Sequence, residues 1–187
     1  MRLKLGVLVC MLFLSASISL LGNPTETAAS ASQDLISQEE AFALNAVNQQ
    51  VIPPTKKRKM IKWLKAGTYK KQFLPEPQVV PSVGPHGGNV RTYYNPILVE
   101  DLRAGLTKWR AGASMVKELY LGGKDQVKGY AVMIKVNEES GKNGEGWIFY
   151  EAFDINSPGS GFYGRGVGIC ANCHKGGLDY LLATFRP

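Results

Sequence analysis

The sequence predicts an α+β fold, a mostly antiparallel β-sheet with N-terminal helices and a C-terminal segment built on Cys-x-x-Cys-His. Three observations carry this. Apolar residues fall at helical spacing between residues 33 and 65, with Pro and Gly as stops. From Asn89 onward, β-rich runs alternate with short polar or Gly-containing connections, the pattern of consecutive antiparallel strands. The 187 residues, 44% of them apolar, suffice for one sizeable core and are too few for two ordinary domains.

The chain opens with Arg2 and Lys4, followed by an apolar run from Leu5 to Leu21. This order reads as an export signal. Ala29-Ser30-Ala31 has the small-x-small pattern of a cleavage site, whereas Gly22 lies closer to the run and fits less well. Residues 1–31 are therefore expected to be signal peptide and lead-in, cut between 22 and 31. Cleavage is expected over the alternative of an N-terminal membrane anchor, for which the run is barely long enough against a bilayer core of roughly 30 Å. The expected location is periplasmic or otherwise exported. Cys10 falls within the signal, in no lipid-attachment pattern, so the mature chain keeps Cys170 and Cys173. In an oxidising compartment two thiols so close together need a reason beyond packing.

Residues 32–73 read as a helical basic extension and 74–187 as the principal domain. Gln33 to Gln50 carries an imperfect apolar stripe of Leu35, Ile36, Phe42, Leu44 and Val47, stopped by Pro53-Pro54. A second helix is predicted from Thr55 to Lys65, with Gly67 as its C-terminal cap. Leu74 to Gly88, rich in Pro and Gly, is expected to be an irregular loop. Val90 to Tyr94 forms a short strand. Asn95-Pro96 then supplies an N-cap and first-turn proline for a helix through about Trp109. Strands follow at Ser114 to Leu121, Val127 to Val136 and Trp147 to Phe153, joined by Gly122–Asp125 and by the polar, Gly-rich stretch from Asn137 to Gly146. Alternation places Met115, Lys117, Leu119 and Leu121 on one face, and Glu118 on the other in a structural role.

The net charge is +7, and cleavage after Ala31 removes Arg2, Lys4 and Glu26 to leave +6. Much of the excess lies between Lys56 and Lys71, around Met60, Ile61, Trp63 and Leu64. This is a solvated helix face, with docking to an acidic redox partner or a membrane surface as the sharper alternative. Nucleic-acid binding is not expected of an exported chain with no recognisable binding motif.

Cys170-Ala171-Asn172-Cys173-His174 carries the chemistry. Two thiols three residues apart can each add to one vinyl group of a haem, and the adjacent His then reaches the iron from the same side. One covalent haem c is expected, with Cys170 and Cys173 as attachment points and His174 as the iron ligand. Three rivals stay open. A structural zinc site lacks ligands, since only His86 remains besides the motif. A thioredoxin-like dithiol belongs after a strand in a βαβ setting, and this motif lies behind a meander. A plain disulfide would leave His174 unexplained.

From about His86 to Phe185 the chain resembles the cytochrome P-460 family, including its cytochrome c-prime-beta relatives. The likeness is carried by the run His86 to Asn95, by Met115-Val116-Lys117-Glu118-Leu119, by Gly129 to Lys135, by Trp147 to Tyr150, and by the haem motif followed by Asp179-Tyr180. The resemblance implies a haem domain of mostly antiparallel β structure, a five-coordinate iron open on one face, and often a homodimer. In the hydroxylamine-oxidising members a lysine is bonded to the haem edge, and the matching position is Lys117. Otherwise Lys117 pairs with a propionate or a nearby carboxylate. Met115 and Met133 are possible sixth ligands by chemistry, with core packing as their ordinary role. His86 is the remaining histidine for that position, with a turn role as its simpler reading, and Glu151 and Arg165 are candidates for distal proton transfer or propionate pairing, with a surface or salt-bridge role as their ordinary one. The expected function is an exported mono-haem cytochrome with an open distal site, oxidising hydroxylamine or binding nitric oxide. A non-enzymatic electron-transfer cytochrome is the alternative.

Overall fold

Alternation along the longest strand decides the architecture, because both of its faces are covered. The structure is a computed structural model that describes residues 51–183. The signal and lead-in, with the anchor alternative, the helix expected over 33–50, and residues 184–187 lie outside the described residues. Helix α1 spans Lys57–Lys65 and is followed by a 3-10 turn at Thr68–Lys71. The strands are β1 (Leu74–Pro75), β2 (Val80–Pro81), β3 (Asn89–Tyr94), β4 (Ser114–Leu121), β5 (Gly129–Lys135), β6 (Trp147–Ala152) and β7 (Phe162–Arg165). Helix α2 (Pro96–Arg103) connects β3 to β4, and α3 (Gly168–His174) follows β7.

The strands form one antiparallel seven-stranded sheet in the order β1-β3-β4-β5-β6-β7, with β2 also pairing to β3. This agrees with the predicted α+β class. One face buries Val116, Val132, Ile134 and Tyr150 against Met60 and Leu64 of α1 and against Tyr69 and Phe73. Residues 57–73 thus share a core with the sheet. Met60 and Leu64, one helical turn apart, are the buried residues of α1, while its basic residues fill the remaining faces. The opposite face buries Met115, Met133, Phe149 and Trp147 against Leu98, Trp109 and Ala171.

The predicted elements are recovered with shifted ends. Helix α1 begins at Lys57 rather than Thr55, and Gly67 takes the left-handed conformation (φ 64) expected of its cap. Leu74 to Gly88 was expected to be irregular throughout; instead β1 and β2 each add two residues to the outer edge of β3. Pro75 and Pro81 explain the brevity, since proline has no N–H to give to a ladder and is tolerated only at an edge.

Helix α2 starts as predicted. The buried Asn95 side chain accepts from Leu98 N (3.0 Å) and Ser114 N (2.9 Å), and donates to Val51 O and Gly112 O. The helix stops at Arg103 rather than running to Trp109. Gly105 turns left-handed (φ 66), and Leu106 N bonds back to Asp101 O. Trp109 is drawn to the C-terminal segment, its backbone N–H donating to Asp179 Oδ2 (3.0 Å) and its indole to Leu178 O (2.9 Å). Strand β7 and helix α3 were not predicted. Among the described residues no helix is long and apolar enough to cross a membrane.

Candidate functional site

Helix α3 places the thiols of Cys170 and Cys173 and the imidazole of His174 at relative positions i, i+3 and i+4, on one side of the helix. All three line a cavity of about 610 Å³ between α3, the second sheet face and the loop ahead of β3. That size falls within the ~300–1,000 Å³ of pockets that enclose a small molecule or cofactor. The wall is mostly apolar, with Val80, Val90, Met115, Met133 and Phe149 at its back. Val83, Phe153, Phe162, Ile169 and Leu182 also line it and are exposed, leaving apolar surface that a bound group would cover.

His174 is buried, and its Nδ1 lies 2.9 Å from the Tyr180 carbonyl oxygen. A carbonyl only accepts, so Nδ1 carries the hydrogen and Nε2 keeps its lone pair. Burial, opposed in part by the Tyr180 bond and reinforced by His86 and Lys117, lowers the imidazole pKa to about 4. At neutral pH the ring is uncharged, the form that ligates a metal.

The Tyr180 carbonyl is aimed by a turn in which Asp179 (φ 46) and Tyr180 (φ 68) are both left-handed. The Asp179 carboxylate holds that turn. It pairs with Lys135 Nζ (2.7 Å) and accepts from Ser140 and from Trp109 N. Lys135 is fully buried and also donates to Ser140, which accepts from the Trp147 indole (3.0 Å). A strained turn of this kind persists only where its surroundings over-determine it. In the sequence Asp179-Tyr180 stands out only as part of the resemblance; its link to His174 is not legible there, because the turn depends on Lys135, far away in the chain.

Cys170 is half-buried and Cys173 exposed, and the two thiols are unlinked. Burial, with Glu151 and Cys173 nearby, pushes the Cys170 thiol up to about 11. An attacking dithiol needs the reverse shift, so the thioredoxin-like rival finds no support here. The zinc rival fares no better: among the described residues no three His, Cys, Asp or Glu side chains are grouped to hold a metal ion. For a haem, whose porphyrin supplies four nitrogen donors, one imidazole and two thiols on a helix facing an apolar cavity are a fitting set.

Lys117 is on the cavity face as alternation predicted. It is half-buried and makes no hydrogen bond or ion pair among the described residues. Burial lowers its amine pKa, against the pull of Glu76 and Glu151. The expected carboxylate pairing is not formed, because both acids are engaged elsewhere. Glu76 accepts from Thr92 N (3.0 Å) and Tyr94 OH (2.9 Å), and Glu151 contacts His86 Nδ1 (2.6 Å). Met115 and Met133 reach the cavity but are buried within the core cluster of that face. Glu118 lies on the opposite face, where it accepts from Tyr69, Tyr93 (3.2 Å) and Tyr120 (2.5 Å) and pairs with Lys70 (2.7 Å). Arg165 is exposed on the edge strand and does not line the cavity. His86, read as a turn residue, instead enters the cavity, with its ring centroid 6.2 Å from that of His174.

No family model matches the chain, and no curated protein matches it. The likeness to cytochrome P-460 proteins thus rests on the motifs quoted above.

Proposed function

We propose that the protein is an exported mono-haem c-type cytochrome of the cytochrome P-460 kind, binding nitric oxide or a similar small ligand, or oxidising hydroxylamine. The observation that carries this reading is that Cys170, Cys173 and His174 share one helical side and one apolar cavity, with His174 Nε2 carrying the available lone pair. The thiols would form the thioether bonds and His174 would ligate the iron. When bound, haem supplies the metal at which a small nitrogen compound is held or oxidised.

The chain's own groups do the rest. Tyr180 fixes the tautomer and rotation of His174. The apolar walls exclude water. Lys117, Glu76 and Glu151 form the polar margin, where an amine and two carboxylates can orient a small ligand or hold a proton. A redox partner docking on the basic face of α1, and a homodimer, belong to the same proposal. The second reading, an electron carrier, is favoured by one observation, the entry of His86 into the cavity.

The test is covalent attachment. Haem should stay with the protein through denaturation and acidified organic solvent, and Cys170→Ala should weaken or abolish that retention. Free, extractable haem in the unmodified protein would overturn the proposal.

A further inference from the structure

Both histidines that line the cavity have their Nδ1 committed. His174 Nδ1 is held by the Tyr180 carbonyl and His86 Nδ1 by Glu151 Oε1, at 2.6 Å. Among the described residues no hydrogen bond reaches either Nε2. Each imidazole thus presents the same nitrogen to the cavity, braced from behind by an acceptor, which is how ligating histidines are oriented in proteins.

The spacing leaves room for a shared metal. Metal–imidazole bonds of about 2.0–2.1 Å, with each ring centroid ~1.1 Å behind its nitrogen, put two trans imidazoles roughly 6 Å apart centre to centre. The observed separation is 6.2 Å, with the rings inclined at 61°. The rings stand edge-on to one another and are not hydrogen-bonded together.

The loop is shaped to deliver His86. Gly87 (φ 70) and Gly88 (φ 60) are both left-handed, and a Cβ on Gly88 would lie 1.7 Å from the Leu121 carbonyl oxygen. That close approach seats the loop on the end of β4. Ser82 N donates to Gly88 O (2.8 Å), closing the loop, and Glu151 fixes the ring from β6. The methionines offer no comparable arrangement, being held in strands among Phe149 and Trp147.

We infer that His86 supplies the sixth ligand to the iron in the ligand-free protein, so that a small molecule binds only by displacing it. The inference rests on the haem reading above and departs from the open distal face that the resemblance implies. Glu151 is then a positioning residue, acting through the His86 ring. Displacement would break the contact of His86 with Glu151.

The experiment uses the full-length, haem-loaded protein. Haem staining after denaturing electrophoresis establishes attachment, and the ferric spin state is read by absorption and electron paramagnetic resonance. The wild type is expected to be low-spin. His86→Ala should turn it high-spin, added imidazole should restore the low-spin signal, and carbon monoxide should bind the ferrous variant at least tenfold faster. His86→Met provides a second reading that keeps a ligand in place, and should be low-spin with the near-infrared band of a methionine–iron bond. Haem that is attached but high-spin in the wild type, or a low-spin signal indifferent to both substitutions, overturns the inference and leaves the haem reading standing. A protein with no covalent haem overturns both.

Discussion

Asp179→Ala should be among the most damaging substitutions in the described part of the chain. Asp179 is the counter-ion of Lys135, whose side chain is 0% exposed, and it accepts from Ser140 and Trp109 N. Removing one partner of a buried ion pair costs about 3–5 kcal/mol, because the other charge is left without compensation. The Trp109 and Ser140 donors lose an acceptor at the same time, but these losses belong to one network and do not add in full. A total of about 4 kcal/mol, with a urea slope of ~2 kcal/mol per M, moves the unfolding midpoint down by roughly 2 M. The assay is urea denaturation of the haem-loaded protein followed by circular dichroism. The turn that aims the Tyr180 carbonyl should loosen too, so on the haem proposal the spectroscopic signature of His174 ligation should shift with it. The double variant Lys135→Met with Asp179→Leu should regain only the part that belongs to the ion pair, since a buried pair exchanged for apolar groups is often neutral while the Trp109 and Ser140 donors stay without their acceptor. A loss below about 1 kcal/mol in Asp179→Ala would refute the argument that this pair is buried and coupled.

Two further outcomes follow from single positions. A digest of the loaded protein should carry haem on the Cys170–His174 peptide alone, with Lys117→Met leaving covalent haem content unchanged; mass spectrometry showing one haem joined to both that peptide and the Lys117 peptide would reverse this and favour hydroxylamine oxidation over ligand binding. For Glu118, burial raises the carboxyl pKa, and Lys70 with the Tyr120 and Tyr69 hydroxyls outweighs it, so the carboxyl is held below its ordinary value. A depressed carboxyl contributes stability above its unfolded value and loses it as pH falls through the folded one. The destabilisation caused by Glu118→Gln should therefore be greatest near pH 7 and shrink below about pH 4.5, and a penalty equal at both ends would refute it.

Much of this was legible along the chain. Period-two alternation put Lys117 and Glu118 on opposite faces of β4, and the faces are chemically different: one amine in a cavity, one carboxylate among tyrosines. Asn95-Pro96 marked the start of α2 because capping is a contact between residues three apart. Its end escaped, because Asp101, Gly105 and the pull of Asp179 on Trp109 act against a helical pattern that runs on through the sequence.

The proposed haem chemistry rests on the spacing Cys170, Cys173, His174 by itself, since one turn of helix is enough to bring those three groups to one side. What surrounds them was decided elsewhere. The bond between His174 and Tyr180 is local, yet the turn that makes it stands on Lys135, 44 residues away along the chain. His86 and Glu151, 65 residues apart, meet only because the loop ahead of β3 reaches over the cavity to β6, from which β3 is separated in the sheet by β4 and β5. Local periodicity reports which face a side chain takes. Which strand or loop lies opposite that face is set by sheet topology and by the burial of Lys135 and Asp179 together, and neither leaves a periodic trace in the sequence.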